Sequence, residues 1–479
     1  IIYWGLSGAD GNIAQLNFLP YLLSMDSQYA LLLPNNNAMG MYLDPSSYGN
    51  QGASTDAETG ETTVMEAPNL IVFRYDKSKT ISNRVQASRY QSLVDADGNI
   101  TPGIRLQETV ASTVINNMLN DMIDQFIIVI PDRTMKLEDY VAQGYSLFKT
   151  KGGSLLRVTQ GEGGNLCFEG GWQMEHNHKK LQATEVFQKT NGRSYLLDSQ
   201  MPLATEKSLY MTLKEHQEYS GFLKLLENSY CDLLTVKLGT SAAYSVGNSR
   251  NGNKNMRLFD NYNYTVFVPT TASIERLQEQ KLLPEWDELT EEFEDGKDHE
   301  DLAKGLTYTS ALDSMCYAEG WYERYADLES ATSDTDLKNM KISFQKKVKA
   351  CLANILDDFI RYHVMDRSVA IGMAPEANAT SSSYESMKRN PETGRFFPLV
   401  VNFDQTSMTV QDILGNSQQV VKTEGLYNNI CREYWFTGSG NNAYKYMGSD
   451  AVVHLINQPL QYAQMEKWRD VVEDYLKNN

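Results

Sequence analysis

Six histidines and five cysteines are the side chains of this chain best suited to acid–base, nucleophilic or metal chemistry. His176 and His178 stand two apart in the run Glu175-His176-Asn177-His178. On a strand, that spacing turns both imidazoles to one side, where they could share a metal ion. An H-x-H pair needs a third ligand, and no spacing in the sequence supplies one. The two read as exposed strand or loop histidines, and no metal is expected. Asp95-Ala96-Asp97-Gly98-Asn99 begins like a calcium loop. That pattern needs glycine at its sixth position and glutamate at its twelfth. Gly98 falls fourth and Leu106 twelfth, so an Asp-Gly hairpin turn explains the run better. The acidic run Asp287–Asp301 could hold Ca²⁺ but reads as a solvated helix face.

Nucleophile signatures are equally thin. Thr437-Gly438-Ser439-Gly440 lacks the spacing of a nucleophile elbow. The glycines between positions 161 and 171 are not followed by the Lys-Ser or Lys-Thr of a phosphate loop. Cys167, Cys231, Cys316, Cys351 and Cys431 are odd in number and contain no C-x-x-C pair. They read as small buried thiols, with neither a disulfide framework nor a zinc site. The sequence therefore predicts no catalytic residue and no cofactor.

Aromatic residues point instead to binding. The chain has 28 Tyr and 6 Trp. Each combines a flat apolar face with a polar tip, the surface that protein and glycan ligands favour. Trp321-Tyr322 and Tyr434-Trp435 fall in segments that read as insertions or loops, which makes them candidate ligand contacts. A net charge of -18 argues against nucleic acid and against anionic lipid. No apolar run is long enough to span a membrane. The chain opens at Ile1 without a basic or secretory leader, so any signal or lipid anchor is expected in residues preceding it.

The elements that would position these side chains occur twice. Tyr29–Met39 and Tyr264–Ile274 are each a short apolar strand, a proline, and then polar residues that can cap a helix. Residues 114–126 and 344–359 are amphipathic by spacing and end in the related words Ile-Asp-Gln-Phe-Ile and Leu-Asp-Asp-Phe-Ile. The separations, 34 to 126 and 269 to 359, agree to within two residues. A third pair closes each copy: Gly192–Asp198 before Pro202, and Ala451–Asn457 before Pro459. Ser208–Asn228 reads as one amphipathic helix opening the second copy, which places a boundary near Ala204 with a short linker, Met201–Lys207.

Insertions separate the landmarks. Residues 44–66 read as a loop and 66–105 as a projecting hairpin arm. Residues 278–340 read as an acidic helical insertion, 374–395 as a loop, and Met465–Leu476 as a C-terminal helix.

These landmarks, in this order, resemble the fasciclin domain. Thr265-Val-Phe-Val-Pro-Thr270 resembles the first half of the family's opening segment, and Asn36, Ala38 and Met39 its second half. Tyr362-His363 matches the family's middle landmark, and Val452-Val-His-Leu-Ile456 its last. The first copy departs, with Ile127–Ile130 where Tyr-His is expected and Tyr195 in place of the late His. The resemblance covers nearly the whole chain and implies an α+β fold of two domains, 1–204 and 205–479. Each would be a wedge of two small β-sheets with packed helices. It implies non-catalytic adhesion to a surface or matrix protein or a glycan. Long tandem forms like this resemble Gram-negative bacterial members that are exported and lipid-anchored. In animal members the Tyr-His region is implicated in binding, which extends the candidate contacts to Tyr362 and His363, although a structural role suits both, and His454 more strongly. The alternative is a glycan-capture accessory of a nutrient-uptake system.

Overall fold

The strand that ends in proline is the centre of a three-strand motif, and the computed structural model contains that motif twice. The structure describes residues 28–44, 54–55, 62–63, 68–80, 83–132, 134–176, 180–227, 263–290, 299–301, 306–375, 381–437 and 444–478. In the first copy Tyr29–Pro34 runs parallel to Gly192–Leu197, with Leu32 opposite Tyr195 and Pro34 opposite Leu197. It runs antiparallel to Ile127–Val129, with Leu31 opposite Ile127. In the second, Tyr264–Pro269 runs parallel to Tyr444–Ile456, with Phe267 opposite His454 and Pro269 opposite Ile456. Its antiparallel neighbour is Val364–Asp366, with Val266 opposite Val364. Even the backbone bonds match: Leu32 N–H donates to Phe126 O at 2.8 Å and Phe267 N–H to His363 O at 2.9 Å. Tyr195 thus occupies the place of His454, and Phe126 that of His363.

Tyr264–Pro269 is buried on both faces, apolar but for Thr265, whose Oγ1 donates to Arg367 O at 2.7 Å, and proline ends its ladder. The caps differ between copies. Asn35 Oδ1 accepts from the N–H groups of Asn37 and Ala38 at 2.9 and 3.0 Å. Thr270 makes no side-chain cap. Instead Thr271 Oγ1 accepts from Gly221 N–H at 3.0 Å and donates to Glu218 O at 2.9 Å, pinning a different helix.

The first triplet sits in a four-stranded sheet with Glu185–Lys189. A second four-stranded sheet comprises Leu147–Lys149, Leu155–Gln160, Leu166–Glu169 and Leu181–Gln182. The second triplet lies inside an eight-stranded sheet that also takes in Asn429–Thr437 and, on its other side, four strands from Ser381–Arg389 to Ser417–Gln419. The helices Ser112–Gln125 and Asp334–Tyr362 lay their apolar stripes on these sheets. Ser333 starts the longer one by accepting from Asp336 N–H at 3.1 Å. The chain is an α+β protein.

Several segments depart from what their sequence suggests. Ser208–Asn228 is not one helix. His216 is extended, which separates Leu209–Glu215 from a 3-10 turn at Gln217–Tyr219 and the helix Ser220–Leu226. The break lets Tyr219 bury its ring and accept from Asn429 Nδ2 at 2.9 Å. Within the acidic run, Trp286–Thr290 is helical, but His299–Asp301 pairs as a strand with Leu306–Tyr308. Ser381–Arg389 is a strand inside the expected 374–395 loop. Its polar composition hides this, because Phe396–Phe403, its partner, supplies Leu399, Val401 and Phe403 to the core. The arm is larger than a hairpin: Met41–Asp44, Asn69–Tyr75, Val85–Val94 and Ile100–Gln107 form one antiparallel sheet, with the last strand at its edge.

The two triplets are tied together. One apolar cluster includes Leu147 and Leu155 with Phe267, Tyr362, Val401 and Ile456. Backbone bonds add to it, with Ser146 N–H to Gly372 O at 2.9 Å and Ala374 N–H to Leu147 O at 3.0 Å. The segment from Met201 to Glu206 is buried as well. Gly170 explains how it fits: a Cβ there would sit 2.0 Å from Leu203 O and 2.6 Å from Leu203 N. Gly170→Ala is therefore expected to cost about 1–3 kcal/mol through overpacking. An unchanged urea midpoint in that variant would contradict the close approach.

Candidate functional site

The two histidine-bearing words of the second copy, Tyr362-His363 and Val452-Val-His454, converge on the core and not on the surface. His363 is fully buried at the end of its helix. Its Nδ1 lies 2.7 Å from Phe359 O, and its Nε2 accepts from Leu460 N–H at 2.9 Å. That pair of partners fixes the tautomer, with the proton on Nδ1. His454 has the opposite one: Nδ1 accepts from Asn428 N–H at 3.3 Å, so Nε2 donates to Val369 O at 2.9 Å. Both nitrogens of both rings are committed to backbone, leaving none for a ligand or a proton relay. Burial pushes each imidazole down to about 4, so both are neutral near pH 7. Tyr362 is buried too, and its Oη accepts from Ile413 N–H at 2.9 Å.

Trp321 and Tyr322 lie on the helix Trp321–Tyr325, not in a loop, and both are buried. Tyr322 Oη donates to Asp313 Oδ1 at 2.7 Å and accepts from Gln345 Nε2 at 2.8 Å. Trp321 Nε1 donates to Glu473 Oε1 at 3.3 Å, joining this helix to Trp468–Asn478. Tyr434 and Trp435 lie on the strand Asn429–Thr437, opposite Gly448 and Met447, again not in a loop. Cys167, Cys316, Cys351 and Cys431 are buried free thiols, and Cys231 lies outside the described residues. Burial pushes Cys316 up to about 12 and Cys351 up to about 11, which keeps both thiols protonated and unreactive.

What sequence spacing did not single out is the arm's apolar surface. Ile104 is 72% exposed, Leu106 is exposed on the same strand, and Leu93, Val94 and Tyr75 are exposed elsewhere on the arm. Ile104 and Leu106 belong to the edge strand Ile100–Gln107. Their signal in the sequence is weak, because they alternate with Arg105 and Gln107 as any half-buried strand would. The Asp95–Asn99 loop at the arm's tip is held by its own residues. Asp95 Oδ1 accepts from the N–H groups of Asp97 and Asn99, each at 2.9 Å, as in a tight turn. A cavity of about 260 Å³ lies between the first copy and the Met373–Ala374 turn of the second, walled by Val129, Ile130, Pro131, Phe148, Lys149, Met373 and Ala374. Lys149 is its one charged wall residue, and among the described residues lining it there is no set of converging polar groups of the kind a catalytic site needs.

One polar cluster does converge. Glu175, His176 and Glu206 bring one ligand atom each within 4.8 Å of one another. Glu175 closes the short helix Gly171–Glu175, and Glu206 lies on the buried segment that Gly170 admits. His176 Nε2 is 3.0 Å from Glu206 Oε1. Burial, then the charge of Glu206, raises the Glu175 carboxyl well above its usual range. His178 lies outside the described residues. Glu206, thirty positions beyond His176, is the third group that the H-x-H spacing alone could not indicate.

No family model matches the chain, and no curated protein does. Among solved structures it is similar to a FAS1 domain pair from the insect cell adhesion molecule fasciclin I. That match covers 72% of this chain and 81% of the other, at 11% identity and a TM-score of 0.22. At such a score the likeness carries no argument, and the repeat rests on this chain's own strand pairing. No helix among the described residues is long and apolar enough to cross a membrane.

Proposed function

We propose that this chain is a pair of fasciclin-type units, 1–204 and 205–479, acting as a non-catalytic adhesion or binding protein at a cell surface. The observation that carries the proposal is the arm. Its edge strand holds Ile104 at 72% exposure with Leu106 beside it, and Leu93 and Val94 are exposed on the neighbouring strand. Proteins ordinarily guard an edge strand with charge, proline or a bulge. Pro102, Arg105 and the register shifts near Tyr90 do so here, which restrains backbone pairing with further copies. Ile104 and Leu106 remain exposed on one face of that strand, and exposed apolar surface of this kind marks contact with other proteins. Protein is therefore favoured over glycan as the ligand class. The glycan-capture alternative loses Trp321 and Tyr322, whose rings are inside.

The test is binding of the purified chain to arrays of matrix and surface proteins and of glycans. Ile104→Asp combined with Leu106→Asp is expected to weaken protein binding by about tenfold or more. The thermal midpoint should hold, because both side chains are exposed. Failure to bind any protein would overturn the proposal. Binding unaffected by the double variant would remove the arm from it. Fluorescence of the buried Trp172, Trp286, Trp321 and Trp468 should be indifferent to oligosaccharides.

A further inference from the structure

We propose that Glu175, His176 and Glu206 form a site for one divalent transition-metal ion of the zinc class, which clasps the segment joining the two triplets. The ligand set comes first. One imidazole and two carboxylates are borderline and hard donors, the mixture that suits zinc and its neighbours. Calcium and magnesium prefer oxygen donors throughout. The geometry comes second. Tetrahedral zinc with bonds near 2.0–2.2 Å holds neighbouring ligand atoms about 3.3 Å apart. His176 Nε2 and Glu206 Oε1 are already 3.0 Å apart, and all three ligand atoms lie within 4.8 Å. A small rotation of the Glu175 carboxylate closes the set.

An independent observation points to a missing partner. Glu206 is only 7% exposed, and its Oε2 is buried without a hydrogen-bond partner among the described residues. Glu175 Oε2 is in the same condition. The His176–Glu206 contact satisfies one carboxylate oxygen and leaves these two. A buried carboxylate oxygen left without a partner is costly, and a cation bound in the cluster relieves that cost at Glu206. The supporting contacts suit the role. Thr205 Oγ1 donates to Glu175 Oε1 and so orients that carboxylate, and the Trp172 ring lies 5.1 Å from the His176 ring. The imidazole side is 38% exposed, which gives the ion an entry and room for a water as fourth ligand. Glu175 and His176 sit at the end of one helix, and Glu206 sits on the joining segment. Bound metal would lock that segment to the sheet domain beneath it.

The experiment uses the untagged full chain stripped of metal and titrated with Zn²⁺ against a chromogenic chelator. Uptake of about one equivalent is expected, with a raised thermal midpoint and no competition from excess Ca²⁺. His176→Ala and Glu206→Gln should each weaken uptake about 10–100-fold. His176 is partly exposed, so its variant is expected to fold and decides the matter even if Glu206→Gln does not. Absence of uptake by the unsubstituted chain overturns the site. So does uptake by His176→Ala as tight as by the parent, or displacement by Ca²⁺.

Discussion

Arg432→Met is expected to lower the unfolding free energy by about 3–5 kcal/mol, the cost of leaving buried carboxylates without their cation. Arg432 is 3% exposed on the strand Asn429–Thr437. Its Nη2 reaches Asp121 Oδ1 at 2.5 Å and its Nη1 donates to Ser154 Oγ at 2.9 Å. Ser154 Oγ in turn donates to Asp450 Oδ1 at 2.8 Å, and Arg432 Nε lies 3.9 Å from that same oxygen. Asp121 belongs to the helix Ser112–Gln125 and Ser154 precedes the strand Leu155–Gln160, so both come from the first copy. Arg432 and Asp450 come from the second. Within the second copy the same strand is held to the segment that opens it, since Arg432 N–H donates to Lys207 O at 2.8 Å and Glu433 Oε1 accepts from Leu209 N–H at 2.9 Å. One guanidinium thus neutralises carboxylates from both copies in a largely buried place. Methionine keeps much of its volume and none of its charge. Urea denaturation at neutral pH measures the loss. Asp450→Asn in the same chain should recover part of it, because it removes one of the stranded charges. A loss below about 1 kcal/mol, the size of a surface ion pair, would mean that the network is not the join it is taken for.

Acid is expected to destabilise the protein steeply between about pH 6.5 and pH 4. His363 and His454 are each held down to about 4 by burial, against an ordinary value of 6.5 in the unfolded chain. Above pH 6.5 both states carry neutral rings, and the folded protein keeps its full stability. As pH falls through 6.5 the unfolded chain takes up protons that the folded rings refuse, so stability declines until about pH 4. Below that value folded and unfolded rings are both charged and the decline from this source ends. A shift of this size corresponds to about 3 kcal/mol per ring, and near pH 5 the two together give a slope approaching about 2.7 kcal/mol per pH unit. Urea midpoints across pH 7 to 4.5 read it directly. His454→Gln, with an amide that can still donate to Val369 O, should halve the slope even if stability at pH 7 falls. A slope unchanged in that variant would place the acid sensitivity elsewhere. Asp358 and Asp366, which burial raises, oppose the trend at the lower end, since their protonated forms favour the folded state.

The same two rings show why the candidate contacts moved. From sequence, Tyr362-His363 stands out because histidine is rare here and can do chemistry. In the structure His363 closes its own helix and anchors Leu460, and His454 joins two loops to the central sheet. The first copy does comparable work without histidine, using Phe126 at one place and Tyr195 at the other. Tyr195 Oη donates to Glu138 Oε1 at 3.0 Å. Two solutions at one position are what a packing role permits.

The sequence by itself determined the repeat. Strand and proline recur, and amphipathic spacing marked the helices Ser112–Gln125 and Asp334–Tyr362, because local geometry and periodicity are properties of neighbouring residues. The matched words at the helix ends lie one turn out of register, since Phe126 takes the place of His363 and not of Phe359. Only the tertiary structure decided where the polar and apolar exceptions lie. Whether Trp321 is inside or Ile104 outside depends on which sheet or helix covers it, and that cover comes from residues far along the chain. The break at His216 and the strand Ser381–Arg389 have the same origin, since Asn429 and Phe396–Phe403 supply what the local run lacks. The meeting of Glu206 with His176 is set by the packing of the joining segment on the first copy, and that of Arg432 with Asp121 by the packing of one copy against the other. No spacing within either copy encodes it.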